Sequence, residues 1–152
     1  MTSIHDLTID IGGMPIVVRT GSSDFAQMLE DRYGEFVTAG ASEAEIELEI
    51  RLAKEPGIAA RDSRLGKENE DGEELSVRRN AGLWVMERGD FRAEWDPKTN
   101  RGWVRQTMNP YSIDGVLRIL HSLILAREGG FLVHAASAVR NARAFVDRKS
   151  VV

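Results

Sequence analysis

The chain has no cysteine among its 152 residues. That excludes a disulfide framework, thiol catalysis and any cysteine-ligated metal. It has no apolar run approaching the roughly 18 residues a membrane helix requires. The opening MTSIHDLTID lacks the basic and apolar regions of a secretory signal, so a cytoplasmic protein is expected. Aromatic residues make up 7% of the chain and proline is scarce, with four residues. There is no excess of positive charge: the formal net charge is -4. That speaks against a general nucleic-acid binder, which is usually basic. The three histidines, His5, His121 and His134, have no metal-type spacing.

What is present is ordinary for a folded chain, with 42% hydrophobic residues. Its length suits one domain, or a small domain with part of another. Ile4–Ile11 and Met14–Thr20 read as two strands around Gly12-Gly13. Ser22 or Ser23 can cap a helix over Asp24–Phe36, with Phe25, Met28, Leu29 and Tyr33 on its core side. Gly40-Ala41-Ser42 breaks the chain. In Glu43–Leu52, Ile46, Leu48, Ile50 and Leu52 alternate with Glu45, Glu47, Glu49 and Arg51, a half-buried strand. Same-face carboxylates on one strand lie about 6–7 Å apart, too far to hold one ion without other ligands. A solvated face with arginine partners from neighbouring strands is expected instead.

Lys54–Glu74 is polar and rich in breakers, and reads as a long loop. Its Gly66-Lys67 is not a phosphate loop, because Arg61 replaces the first glycine and Glu68 the magnesium-binding hydroxyl. Glu74–Arg79, Leu83–Arg88, Asp90–Asp96 and Arg101–Thr107 then read as a four-stranded meander. Its tryptophans, Trp84, Trp95 and Trp103, are expected to pack in the core, although a ligand-binding face is the alternative. Its arginines alternate with Glu87, Asp90, Glu94 and Asp96, so surface pairing is expected rather than an anion-binding field.

The stretch Asn109–Val139 carries the most information. Asn109 or Ser112 can cap a helix bearing Ile113, Val116, Leu117, Leu120 and Ile124 at helical spacing. Asp114 and Arg118 can pair at a spacing of four. Gly129-Gly130 supplies the stop. Phe131–Val139 follows, apolar on both faces, and reads as a central strand covered on both sides. Arg140–Arg143 would be a turn and Ala144-Phe145-Val146 the start of a second strand. Asn141-Ala142 departs from the preferred Asn-Gly, so that turn is looser or slightly strained. His134, a polar group in an apolar run, is the weak candidate for a catalytic residue. The competing reading is a hydrogen-bonded core histidine. Ser137 is the other polar group of the run. His121, beside the apolar stripe, reads as a packing or helix-surface residue, and His5 as exposed.

The segment SIDGVLRILHSLILAREGGFLVHAASAVRNARAF resembles bacterial HPr serine kinase-like proteins, a P-loop family related in fold to PEP carboxykinases. Gly129-Gly130 and His134-Ala135 carry the resemblance, which covers about a quarter of the chain. It implies an ATP- and magnesium-dependent phosphotransferase acting on a serine of a small carrier protein. It also places His134 on the strand leading to the phosphate loop. The departure comes after Phe145, where a G-x-S-G-x-G-K-[ST] loop is expected and Val146-Asp147-Arg148-Lys149-Ser150-Val151-Val152 stands instead. Asp-Arg-Lys-Ser-Val-Val is one translation of GAT CGG AAG AGC GTC GTG, the start of a common sequencing-library adapter. The expectation is therefore an α+β chain in three parts. A β-rich module, a meander plus a short helix, occupies 1–109. The helix and first strands of a truncated nucleotide-binding core occupy 110–146, and a non-native tail occupies 147–152. Such a chain is inactive: it has no assigned cofactor-binding or metal residues and needs no cofactor itself, ATP and magnesium belonging to the full-length parent. The alternatives are a standalone non-catalytic module that binds a protein through its sheet, and a ligand sensor using the Trp-bearing sheet.

Overall fold

A computed structural model describes residues 3–38, 46–54, 74–133 and 136–147. The fold is mixed α+β, and the chain divides into two compact units, 1–117 and 118–152.

The first unit is built on an eight-stranded sheet. Strands β1 (His5–Ile11) and β2 (Met14–Thr20) form a hairpin. Its turn is Gly12-Gly13, both at positive φ as a two-residue turn requires. Ile4 stands outside β1 and is exposed. The first helix, α1, runs Ser23–Tyr33, and the Ser22 hydroxyl accepts from the Phe25 N–H as an N-cap. A 3₁₀ turn takes over at Gly34–Phe36 and leads into β3 (Val37–Thr38), which pairs with β1. After the break, β4 (Ile46–Leu52) lies parallel to β2. The loop expected over Lys54–Glu74 falls almost wholly outside the described residues, as do Gly40-Ala41-Ser42 and Glu45.

The meander is present as β5 (Ser76–Asn80), β6 (Leu83–Arg88), β7 (Phe91–Asp96) and β8 (Arg101–Gln106), antiparallel throughout. Strand β8 then pairs parallel with β4, giving the order β3-β1-β2-β4-β8-β7-β6-β5. Alternation places one side chain of each successive pair on the same face. On the inner face, Val18 stands opposite Leu48, Ile50 opposite Val104, and Val104 opposite Ala93. All five are buried. Helix α1 lies against β1 and β2, burying Phe25 and Leu29.

The second helix, α2, runs Pro110–Arg127. Asn109 is its cap: the side-chain carbonyl accepts from the N–H groups of Tyr111 and Ser112, each at 3.0 Å. Within the first unit, Gly115 approaches the Phe91 ring closely, and Ile113, Val116 and Leu117 are buried. The Ser112 hydroxyl donates to Asp90, which is itself gripped by Arg88.

In the second unit, α2 ends at Gly129, which takes the positive φ of a left-handed stop. The expected strand Phe131–Val139 is shorter than its apolar run. Residues 131–133 lie outside any strand, and β9 spans Ala136–Arg140. It pairs with β10 (Arg143–Asp147) across a tight turn. The expectation of a central strand covered on both sides is overturned: Phe131 is 79% exposed and Val139 76%. A two-stranded ribbon has no layers to cover its two faces, and β9–β10 is such a ribbon among the described residues. The turn is tight rather than loose. Asn141 and Ala142 both adopt positive φ, 52° and 57°, which is the strain anticipated at the alanine.

Candidate functional site

The candidate from sequence, His134, lies outside the described residues. Ser137 is on β9 and exposed. His121 is buried on α2, a packing position. His5 is half-buried on β1 opposite Thr20 rather than exposed. Among the described residues no group of three or more His, Cys, Asp or Glu side chains is arranged to hold a metal ion.

Two other clusters stand out. The first is the outer face of the eight-stranded sheet, where ladder pairing sets side chains from different strands in rows. Glu47 on β4 is 3.9 Å from Arg19 on β2 and 3.6 Å from Arg101 on β8. Glu47 thus meets arginines of both neighbouring strands, as expected of a solvated face. Glu49 is held instead by Arg51 of its own strand at 3.2 Å, which keeps its carboxyl below the usual range. Across the meander, Arg78 and Arg92 both meet Glu87, at 2.6 and 2.8 Å, and Arg92 also meets Glu94 at 3.1 Å.

One row runs against this pairing. Arg51 stands opposite Arg105, and Arg105 opposite Arg92, so three arginines lie side by side on β4, β8 and β7. Like charges in direct register repel. Arg92 and Arg51 have carboxylate partners; Arg105, half-buried, forms no ion pair among the described residues. Arg51 stacks 4.8 Å above the half-buried Trp103 ring, and Arg79 stacks 5.6 Å from Trp84. Only Trp95 is a core residue in the expected sense. The other two tryptophans each serve an arginine, a use that residue type alone does not signal.

The second cluster joins α1 to the start of α2. Arg32 donates to Asp114 at 2.8 Å through Nε, and Tyr33 donates its hydroxyl to the same carboxylate. Burial, then the hydrogen bond it donates to Asp114, push the Tyr33 phenol well above its ordinary pKa. The hydrogen bond to Asp114 holds Arg32 firmly charged. Arg32 also lies 5.4 Å from the Tyr111 ring. Beside it is an open groove of about 590 Å³ lined by Asp24, Gln27, Met28, Asp31, Arg32 and Pro110. Arg32 and Tyr33 lie some eighty residues from Asp114 along the chain, beyond the reach of a local spacing rule. The arrangement is a clamp between two helices.

Among the described residues no helix is long and apolar enough to cross a membrane. Compared with known protein families, curated proteins and solved structures, the chain matches none.

Proposed function

We propose that this chain is the non-catalytic front of an HPr serine kinase-like phosphotransferase. In this reading the sheet module precedes the opening helix and strands of a nucleotide-binding core. The observation that carries it is the second unit's element order: α2, a Gly129 stop, β9, a two-residue turn and β10, with the strand side chains Val139, Phe145 and Val146 exposed. Exposed apolar strands are what a core sheet shows when its neighbours are not present. The longer parent would work in the cytoplasm, take ATP and magnesium, and phosphorylate a serine of a small carrier protein. Phosphoryl transfer depends on backbone N–H groups, a lysine and a metal gripping the phosphates. The 152 residues contain no G-x-x-x-x-G-K-[ST] run to supply them.

Titration calorimetry of the purified chain with ATP and magnesium tests this, and no binding heat is expected. Saturable, magnesium-dependent ATP binding would overturn it. A second reading, a non-catalytic module that binds an acidic protein segment through its sheet, is favoured by one observation: Arg105 stands between two arginines and forms no ion pair among the described residues. In the same calorimeter, saturable binding of an acidic peptide that is lost with Arg105→Ala would favour this second reading over the first.

A further inference from the structure

The β9–β10 ribbon leaves both of its outer edges unpaired among the described residues. An edge strand presents a row of N–H and C=O groups that natural proteins usually guard with proline, lysine, bulges or a covering element. Strand β10 reads Arg143-Ala144-Phe145-Val146-Asp147 and carries neither proline nor an interior charge. Phe145 is 58% exposed and Val146 63%.

The sequence of this strand is complementary to itself when reversed. Set antiparallel against a second copy, with the two-fold axis at Phe145, it places Arg143 opposite Asp147 at both ends. Ala144 then falls opposite Val146, and Phe145 opposite Phe145. The hydrogen-bond phase agrees with that register. Arg140 and Arg143 flank a two-residue turn and form its hydrogen-bonded pair, and the pattern alternates along the ladder. Arg143 and Phe145 therefore direct their backbone groups at β9, while Ala144 and Val146 direct theirs outward. In the self-paired register Ala144 and Val146 are the residues that must exchange N–H···O bonds, and they are free to do so.

We propose that the 152-residue chain forms a two-fold dimer in which β10 pairs with β10 of a second copy, making a four-stranded sheet ordered β9-β10-β10-β9. The interface is isologous, so it closes at two chains. The cross-strand phenylalanine pair and the two oppositely charged end pairs supply side-chain stabilisation beyond the backbone ladder. This inference does not rest on the kinase-like reading. Nucleotide binding and self-association are separate readouts.

Sedimentation equilibrium over a wide concentration range is the test. The expected result is reversible conversion of the 16.9 kDa chain to a species of twice that mass. Val146→Pro removes one outward N–H and leaves the bonds to β9 intact, so it should hold the chain monomeric. Arg143→Asp or Asp147→Arg alone places like charges opposite one another and should weaken dimerisation by roughly threefold to tenfold. The two changes together should restore it. Far-UV circular dichroism verifies that each variant keeps the fold. A chain that stays monomeric throughout, a dimer indifferent to Val146→Pro, or open-ended growth would each overturn the proposal.

Discussion

Gly102 shows how much of the sheet's fit depends on one absent atom. It lies on the inner face of β8, opposite Leu48 on one side and Trp95 on the other. A Cβ there would run into the Glu94 carbonyl oxygen and stand 3.1 Å from Leu48 Cδ2 and 3.2 Å from Trp95 Cα. The β7 backbone on one side cannot yield as the flexible Leu48 side chain on the other could. Gly102→Ala is therefore expected to destabilise the first unit by about 2–4 kcal/mol, at or above the usual overpacking range. Urea unfolding followed by tryptophan fluorescence measures it, and a change below about 0.5 kcal/mol, the usual surface level, would refute the close-packing account.

At the scale of elements, alternation and turn chemistry made most of the strands legible. Ile46, Leu48, Ile50 and Leu52 mark β4, and Gly12-Gly13 marks the first hairpin. The parallel pairings of β2 with β4 and of β4 with β8 were not legible, because register across a long connection leaves no local signature. The same holds for the Arg32–Asp114 contact and the three-arginine row, which exist only once distant strands and helices meet. Phe131–Val139 failed for another reason: an apolar run shows that a segment needs cover, not that cover is there. The β9–β10 turn supplies a test at this scale. Ala142 sits at φ 57°, where an L side chain costs roughly 1–2 kcal/mol relative to glycine. Ala142→Gly gives the preferred Asn-Gly pair and should slow hydrogen exchange of the β9 and β10 amides. Unchanged or faster exchange would argue against strain in the turn.

In the whole molecule, the two units differ in what they bury and in what reports on them. Trp84, Trp95 and Trp103 all belong to the first unit, as do Tyr33 and Tyr111. Tryptophan fluorescence therefore follows the eight-stranded sheet and is blind to the β9–β10 ribbon. Residues 137–146 are exposed throughout, so perturbing them uncovers little apolar surface. Val146→Pro, which is expected to abolish self-association, should accordingly leave the fluorescence-detected unfolding free energy within about 0.5 kcal/mol of the parent chain. The parent's fluorescence transition should likewise be independent of protein concentration. Exchange of the β10 amides should slow as concentration rises, because mass action favours the paired edge. If instead the fluorescence transition moves with concentration, or shifts by more than about 1 kcal/mol in the Val146→Pro variant, the ribbon is energetically coupled to the sheet and the two units do not unfold separately.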